Sequence, residues 1–184
     1  LDYSHHLNML IVVGMPIAAD EQLFNCAVLL LHGKILGVVP KTSIPNHGEF
    51  YERRWFSSSF SRISDEIEIC DQTVPFGTDL LFRSKENPSL CIGVEICEDV
   101  WTPIPPSSFQ CLHGASLILN LSASNEAVGK SDYRKNLIGQ QSARCMAGYV
   151  YASCDYGEST TDIVFGGHSM IFENGILLKE RPPF

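Results

Sequence analysis

The stretch from Leu90 to Trp101, LCIGVEICEDVW, constrains the fold most, because in it a short apolar run ends at a cysteine. Its β-branched residues predict a buried strand. Pro103, Pro105 and Pro106 follow and cannot continue a sheet ladder. The strand is therefore expected to end near Cys97 and to leave the thiol at a sheet edge, where α/β proteins often place their chemistry. On position alone a buried structural thiol is the stronger interpretation, since free cysteine is among the most buried residue types.

Strands and helices are predicted along the rest of the chain. Apolar runs predict strands over 9–15 (buried and ended by Pro16), 24–31, 35–39, 117–121, 149–154, 169–172 and 176–178. Turn residues predict hairpins at 32–34 and 174–175, and a further hairpin joins 73–76 to 80–82 across Gly77. Helices are predicted over 107–113 and from Ser131, as the cap, to about 147, with Tyr133, Leu137, Gln141 and Cys145 on one stripe. The serine-rich segment 57–64 is expected to be a weakly ordered surface loop. This pattern indicates a layered α/β sandwich with facing sheets and outer helices.

Composition excludes several classes of protein. The 184 residues, 45% hydrophobic and 18% charged, are typical of one globular domain. A formal net charge of -8 argues against a nucleic-acid surface. The longest apolar run, 9–19, contains Gly14 and Pro16 and is too short to span a membrane. The chain has seven cysteines without a C-x-x-C pair and six scattered histidines. This pattern predicts that the protein has no metal site and is located in the reducing cytoplasm.

Lys41 stands, like Cys97, where an apolar strand gives out. A thiolate that attacks a carbon–nitrogen centre needs a base, a cation for the oxyanion and a proton for the departing ammonia. A lysine can supply the last two, and either Glu49 or Glu52 is close enough in sequence to hold it. Taken alone, a solvated lysine and surface ion pairs with the neighbouring arginines are the better interpretations of these residues.

Several ordered motifs, from about residue 12 to 184, resemble the nitrilase (carbon–nitrogen hydrolase) superfamily. The segments KTSIPN from Lys41 and EFYERRWF from Glu49 are similar to its lysine motif, and GVEICEDVW is similar to its cysteine motif. The Cys-Glu-Asp-x-Trp variant, with NLSAS at 120–124 and GHSM at 167–170, resembles the glutamine amidotransferase domains of glutamine-dependent NAD synthetases. The resemblance implies an α/β fold, the αββα sandwich with two facing mixed β-sheets and outer helices, and a Glu-Lys-Cys triad.

The resemblance also implies roles for residues whose positions match. Cys97 would be the nucleophile that forms a glutamyl thioester, and Lys41 would steady the tetrahedral intermediate with the backbone N–H that follows Cys97. Glu49 would orient the lysine. Positions that line the glutamine pocket are His47, where this branch usually has a tyrosine, Glu98, Trp101, Ser124 and Lys130. No metal or cofactor is implied for this domain, whereas ATP and magnesium are expected for a synthetase domain.

The function that the resemblance implies is glutamine amide hydrolysis that releases ammonia for ATP-dependent conversion of deamido-NAD to NAD. Residues 1–184 are expected to form a single carbon–nitrogen hydrolase domain truncated at its N-terminus. The general-base glutamate is expected upstream of Leu1 and the synthetase domain beyond Phe184, so that this segment alone is expected to be inactive. Expected partners are L-glutamine, the synthetase domain and further copies in a homo-oligomer, with no nucleic acid and no membrane.

Two alternatives remain open. The first is a stand-alone nitrilase-family amidase that acts on another small amide or nitrile and shares the same triad. The second is a non-catalytic interaction fragment with a reactive thiol. Cys97 is expected to be the one reactive thiol, because Cys26, Cys91, Cys145 and Cys154 fall on apolar stretches and are expected to be inert.

Overall fold

The computed structural model describes residues 1–184, which divide into two compact units, Leu1–Leu80 and Leu81–Phe184. Eleven strands and two α-helices are connected by short loops and 3-10 turns. The 3-10 turns are Asp2–His6, Glu52–Arg54, Ser59–Ser61, Cys97–Trp101 and Tyr156–Glu158. Neither helix is long and apolar enough to span a membrane.

The first unit contains a three-stranded antiparallel sheet in the order β1-β2-β3. Its strands are β1 (Ile11–Ala19), β2 (Gln22–Leu31) and β3 (Lys34–Pro40). The predicted hairpin between β2 and β3 is confirmed, with His32 at φ 48° and Gly33 at φ 74°. Two successive left-handed residues give a two-residue turn the twist that antiparallel strands need. The sheet delivers the chain to Lys41, directly after β3.

The sequence-based prediction for β1 was wrong about where the strand ends and about how far it is buried. The strand runs through Pro16 to Ala19, and residues such as Val13 and Met15 are exposed. The reason is that β1 lies at the edge of its sheet and pairs with β2 alone, and an edge strand tolerates a proline.

The predicted hairpin across Gly77 was also wrong. A two-stranded sheet forms instead from β4 (Glu66–Ile69) and β5 (Gln72–Pro75), turned by Cys70 and Asp71, both at positive φ. Gly77 donates its N–H to the carbonyl of Val38 at 3.1 Å, so it ties the end of β5 to β3. The sequence 70–71 lacks glycine, and the turn signal was therefore missed.

The core of the first unit packs around β2. Phe24, Cys26 and Val28 alternate along the strand and are buried with Val74 and Phe76. The rings of Phe24 and Phe76 meet edge-on, with centroids 5.4 Å apart. Each such side chain contributes about 1.5–3 kcal/mol by leaving water.

The second unit contains a six-stranded mixed sheet in the order β11-β10-β9-β8-β7-β6. Its strands are β6 (Phe82–Arg83), β7 (Cys91–Ile96), β8 (Leu117–Ser122), β9 (Gly148–Ser153), β10 (Ser169–Glu173) and β11 (Ile176–Arg181). The three central strands, β7, β8 and β9, are parallel to one another. Parallel strands end at one edge of a sheet, and that edge is where ligands bind in open α/β sheets.

Helices α1 (Pro106–Leu112) and α2 (Lys130–Cys145) pack on this sheet. Gly93 allows α1 to approach β7, because a Cβ there would lie 2.4 Å from Gln110 Oε1. Gln110 in turn donates from Nε2 to the carbonyl of Val94 at 2.8 Å. The helix predicted over 107–113 is confirmed to within one residue at each end.

Helix α2 follows Gly129 (φ 78°) and ends at Met146 (φ 48°), so Ser131 lies inside it and is not its cap. The predicted stripe was displaced: the buried residues are Arg134, Ile138, Gln141 and Ser142, and Tyr133 is exposed. The displacement arises because the guanidinium of Arg134 is paired inside the protein, which an apolar pattern cannot show. The predicted turn at Asn174 and Gly175 is confirmed, with both residues at positive φ.

Candidate active site

Lys41 is held by both its backbone and its ammonium group. Its side chain is 3% exposed, and its Nζ donates to Glu52 Oε2 at 2.5 Å. Its N–H donates to the carbonyl of Asn25 at 2.8 Å, and its own carbonyl accepts from the N–H of Ser59 at 2.9 Å. The solvated lysine considered from sequence is therefore excluded, and Lys41 is a buried, paired cation.

Glu52 is oriented by a second donor, since Asn25 Nδ2 donates to its Oε1 at 2.7 Å. The carboxylate lies in the 3-10 turn Glu52–Arg54, whose first N–H donates to the carbonyl of Pro45 at 3.2 Å. Glu52, one of the two glutamates considered from the sequence, therefore lies on the lysine ammonium.

Glu49 and His47 lie in the same segment, ahead of this turn. Glu49 is half-buried, and the orienting role that the resemblance assigned to it stays a prediction. His47 is exposed, with its ring edge-on to Phe50 at a centroid separation of 6.2 Å. Its predicted contact with substrate also stays a prediction.

The expectation of a weakly ordered serine loop over 57–64 was wrong. Ser59 is buried inside a 3-10 turn and donates from Oγ to Thr42 Oγ1 at 3.1 Å. Ser58 Oγ donates to the carbonyl of Thr42 at 2.5 Å. These bonds and the bond from Ser59 N–H fix the backbone at Lys41, so the segment supports the candidate site.

Cys97 follows β7 directly and is the first residue of the 3-10 turn Cys97–Trp101. Its φ of 47° places a non-glycine residue in the left-handed region, which costs about 1–3 kcal/mol. The turn is closed by Asp99, which is 2% exposed and accepts the N–H of Ile96 on Oδ2 at 3.0 Å. The predicted strand end at Cys97 is confirmed, and the half-buried Glu98 follows it.

A buried polar chain runs from the backbone of Cys97 into the core. The N–H of Cys97 donates to Asn120 Oδ1 at 3.2 Å, and Asn120 Nδ2 donates to the hydroxyl of Tyr149 at 3.1 Å. Tyr149 in turn donates to Glu95 Oε1, and the N–H of Ser107 donates to Glu95 Oε2 at 2.8 Å. Burial raises the pKa of Glu95 to about 7 and that of Tyr149 well above its ordinary range.

Trp101 and Lys130 lie against each other at the same edge of the sheet. The Lys130 ammonium is 5.4 Å from the centroid of the Trp101 ring, and Tyr133 stacks on that ring with centroids 5.5 Å apart. Lys130 also donates to Asn125 Oδ1. The cation–π contact and the stacking fix the indole ring of Trp101. Two of the predicted glutamine-pocket residues, Trp101 and Lys130, therefore lie side by side.

Ser124 is buried and held by Arg134, whose side chain is 0% exposed. The guanidinium donates to Glu126 Oε1 at 2.5 Å, to the carbonyl of Asn125 at 3.0 Å and to Ser124 Oγ at 3.5 Å. Five donors in a rigid fork allow one arginine to order a whole loop. Arg134 therefore positions the segment that carries Ser124.

His168 extends this network. Arg134 donates to His168 Nδ1 at 2.9 Å, so Nε2 carries the proton and donates to Glu180 Oε1 at 3.0 Å. Lys135 donates to the other oxygen of Glu180 at 2.7 Å, and this hydrogen bond is the main cause that lowers the pKa of Glu180. The GHSM motif thus contributes a neutral histidine that supports Arg134.

The expectation that the other cysteines are inert is supported for two of them and not for Cys145. Burial raises the pKa of Cys26 to about 12 and that of Cys154 to about 11. A hydrogen bond from Cys111 lowers the pKa of Cys145 to about 7, and both thiols are partly exposed. No group of three or more His, Cys, Asp or Glu side chains is arranged to hold a metal ion.

The structure therefore builds two sets of predicted site residues, one in each compact unit. Lys41 and Glu52 pair in the first, and Trp101, Lys130 and Ser124 are fixed near the ends of β7 and β8 in the second. The action of Lys41 on the chemistry of Cys97 stays a prediction. Sequence reasoning missed the supporting roles of Asn25, Asn120, Tyr149 and Glu95, because single polar residues in strands carry no spacing signal.

Comparison with known proteins gives three kinds of likeness. The family model described as carbon-nitrogen hydrolase matches residues 2–183. The glutamine-dependent NAD(+) synthetase of Mycobacterium bovis is 44% identical over 181 residues, which cover 98% of this chain and 26% of that protein. The chain thus spans about a quarter of the length of this relative.

Solved structures agree with the sequence relatives. A glutamine-dependent NAD(+) synthetase from Cytophaga hutchinsonii superposes with a TM-score of 0.82 at 31% identity, over 95% of this chain and 28% of that one. A Saccharomyces cerevisiae member of the nitrilase superfamily superposes with a TM-score of 0.74 at 16% identity, over 99% of this chain and 59% of that one. The α/β class and the nitrilase-like fold predicted from sequence are confirmed.

Proposed function

Because this chain belongs to the carbon–nitrogen hydrolase family, we propose that it hydrolyses the side-chain amide of L-glutamine through a thioester on Cys97. The observation that carries the proposal is the backbone of Cys97, held left-handed at the end of a parallel strand and followed by Glu98, Asp99 and Trp101. A strained, well-supported turn of this kind presents a nucleophile at the ligand-binding edge of a sheet.

The first half of the reaction forms the thioester. The thiol proton of Cys97 passes to the family's general-base glutamate, which the resemblance places ahead of the first strand. Sulfur then bonds to the amide carbon, and the carbonyl oxygen becomes an oxyanion. Because the N–H of Cys97 is already given to Asn120, the proposed oxyanion donors are Lys41 and the N–H of Glu98. The C–N bond breaks when the general-base glutamate passes the proton taken from Cys97 to the nitrogen, so that ammonia leaves and the glutamate is a free base again.

The second half of the reaction hydrolyses the thioester and regenerates the free enzyme. Water adds to the thioester carbon and loses its proton to the same base, the C–S bond breaks, and glutamate and the Cys97 thiol are released. Lys41 is suited to both halves because Glu52 fixes its ammonium in a buried place. A preorganised charge of this kind needs no rearrangement when the oxyanion forms.

Binding of glutamine is assigned to groups near the same strand ends. Glu98 is proposed to face the substrate ammonium, and Ser124 and Lys130 to face the α-carboxylate, with Trp101 covering the aliphatic part. His47 and Glu49 are proposed to complete the site from the first unit. Rigid supports favour these assignments, since Arg134 holds the Ser124 segment and Trp101 is clamped between Lys130 and Tyr133.

The chain is further proposed to act as a single carbon–nitrogen hydrolase domain within a glutamine-dependent NAD synthetase. Its ammonia would serve ATP-dependent amidation of deamido-NAD, with ATP and magnesium bound by the synthetase part and not by residues of this chain. A homo-oligomer and a cytoplasmic location are proposed with it. The stand-alone amidase alternative has weaker support, because the amidase neighbours are 17–18% identical and share the fold alone.

The test is ammonia release from L-glutamine by the intact protein, with Cys97→Ala as the variant. The variant is expected to lose glutamine-dependent NAD formation and to keep formation from free ammonia. Cys154→Ala is the matched control, a partly buried thiol just after β9, which is separated from β7 by β8. Full glutamine use by Cys97→Ala would refute the proposal, and faster hydrolysis of simple amides than of glutamine would favour the amidase alternative.

A further inference from the structure

We propose that Glu95, Tyr149 and Asn120 form a positioning relay that sets the orientation of the Cys97 backbone for the reaction. The relay consists of the hydrogen bonds Cys97 N–H to Asn120 at 3.2 Å, Asn120 to Tyr149 at 3.1 Å, and Tyr149 to Glu95. All three side chains are at most 1% exposed. The inference rests on the proposed function for its kinetic readout. It gives a role to Glu95 and Asn120, which lie in the motifs without an assigned role, and to Tyr149, which lies outside them.

The direction of every bond in the relay is set at the Glu95 end. An ionised carboxylate only accepts hydrogen bonds, so the hydroxyl of Tyr149 must donate to it. The oxygen of Tyr149 is then left to accept, and Asn120 must turn its NH2 group towards Tyr149. Asn120 consequently presents its oxygen to the N–H of Cys97, the one arrangement in which that N–H is satisfied.

The sheet keeps the relay in register. Glu95 is paired with Asn120 across β7 and β8, and Asn120 is paired with Tyr151 across β8 and β9. Tyr149 lies two residues before Tyr151 on the same face, which brings its hydroxyl between Asn120 and Glu95. Ser122 Oγ also donates to Asn120 Oδ1, at 2.6 Å, and strengthens the acceptor that faces Cys97.

The relay acts where the backbone is strained. Cys97 has a φ of 47°, and loss of the acceptor at its N–H leaves a partly buried donor unsatisfied at the residue that must keep this conformation. A peptide that rotates there moves both the thiol and the N–H of Glu98. Misplacement by about 1 Å is enough to lower a rate about 10²-fold.

Protonation of Glu95 on the oxygen that faces Tyr149 would reverse the relay. Tyr149 would then accept from the carboxyl and donate to Asn120, and the amide of Asn120 would turn its NH2 group to the N–H of Cys97. The titratable groups that face Glu95 are Asp99 in the turn, Cys111 on α1 and Tyr149 on β9. Burial raises the pKa of Glu95 to about 7, so the relay has its working direction in the alkaline half of the neutral range.

The experiment compares Tyr149→Phe and Glu95→Gln with the wild-type intact protein. Phenylalanine keeps the ring and removes the link, and glutamine keeps the volume but cannot accept from both Tyr149 and Ser107. Ile138→Val on α2 is the matched control, a buried variant that weakens the core cluster containing Tyr149 without removing a hydrogen bond of the relay. With glutamine, both relay variants are expected to lower kcat about 10- to 100-fold with KM within about twofold.

A second readout does not depend on glutamine. The rate of alkylation of Cys97 by iodoacetamide, followed peptide by peptide, is expected to fall about tenfold or more in both relay variants. In Glu95→Gln it is expected to keep only the rise with pH that ionisation of the thiol itself produces. Unchanged alkylation and kcat in Tyr149→Phe would overturn the relay, as would equal losses in Ile138→Val. Absence of glutamine hydrolysis by the wild type, with alkylation still dependent on the relay, would instead refute the proposed function.

Discussion

Burial is expected to raise the pKa of Glu95 into a pH range where its ionisation can be measured. Glu95 is 1% exposed, and burial raises its pKa from 4.5 to about 7, with the charge of Asp99 adding to the rise. Hydrogen bonds from Tyr149 and Ser107 act in the opposite direction. At about 1.4 kcal/mol for each pH unit, the net change corresponds to about 3 kcal/mol.

The sign of the effect on stability follows from the direction of the shift. Because the pKa of Glu95 is higher in the folded than in the unfolded state, the folded state binds more protons between the two values. The stabilising contribution is fully present below pH about 4.5 and is lost as the pH rises through about 7. At pH 5.5 about 3% of Glu95 is charged, whereas about 90% of an unperturbed glutamate would be.

The assay is the infrared absorption of protonated carboxyl groups in the wild type minus that in Glu95→Gln, recorded between about pH 4 and 9. A band is expected at the acid end and through about pH 6, with a midpoint of loss near 7. The same subtraction with Glu68→Gln, an exposed glutamate of β4, controls for changes in the protein as a whole. A midpoint at or below about pH 5 would refute the burial argument.

Three further predictions concern residues of the two compact units, Lys41 and Glu52 in the first and Arg134 in the second. Lys41→Ala is expected to lower kcat for glutamine about 10²-fold with little change in KM, because the lysine ammonium stabilises an oxyanion that develops only in the tetrahedral species. A raised KM at unchanged kcat would contradict this prediction. Glu52→Gln leaves the buried ammonium of Lys41 without its carboxylate and is expected to cost about 3 kcal/mol, measured by thermal unfolding; Lys41→Met added to it should recover part of that loss. Arg134→Lys cannot serve Glu126, Asn125 and Ser124 together and is expected to raise KM for glutamine about tenfold in steady-state kinetics, while an unchanged KM would show that the Ser124 segment holds without the guanidinium.

Local patterns predicted the elements that depend on neighbouring residues. The strand that ends at Cys97, the helix over 107–113 and the turns at 32–33 and 174–175 follow from apolar runs and turn residues, and the structure contains them. Two of the failures share one cause. An edge strand tolerates Pro16, and a two-residue turn without glycine joins β4 to β5, and both depend on pairing between strands.

The candidate site was predicted to a smaller extent. The lysine and cysteine motifs identified Lys41 and Cys97, and the structure buries the first and strains the backbone of the second. The choice between Glu49 and Glu52 for the partner of Lys41 was open in the sequence. Asn25 lies on β2, and its contact with Glu52 arises only when the hairpin and the following turn have formed.

The sequence by itself determined the family, the strand that carries Cys97 and the side chains available for the chemistry, because these are written in adjacent residues. The contact of Glu52 with Lys41 and the direction of the bonds from Glu95 to Cys97 come from the tertiary structure. Hydrogen bonds and burial join groups such as Glu95 and Tyr149, which lie 54 positions apart in the chain. Their energies depend on packing that no local pattern records.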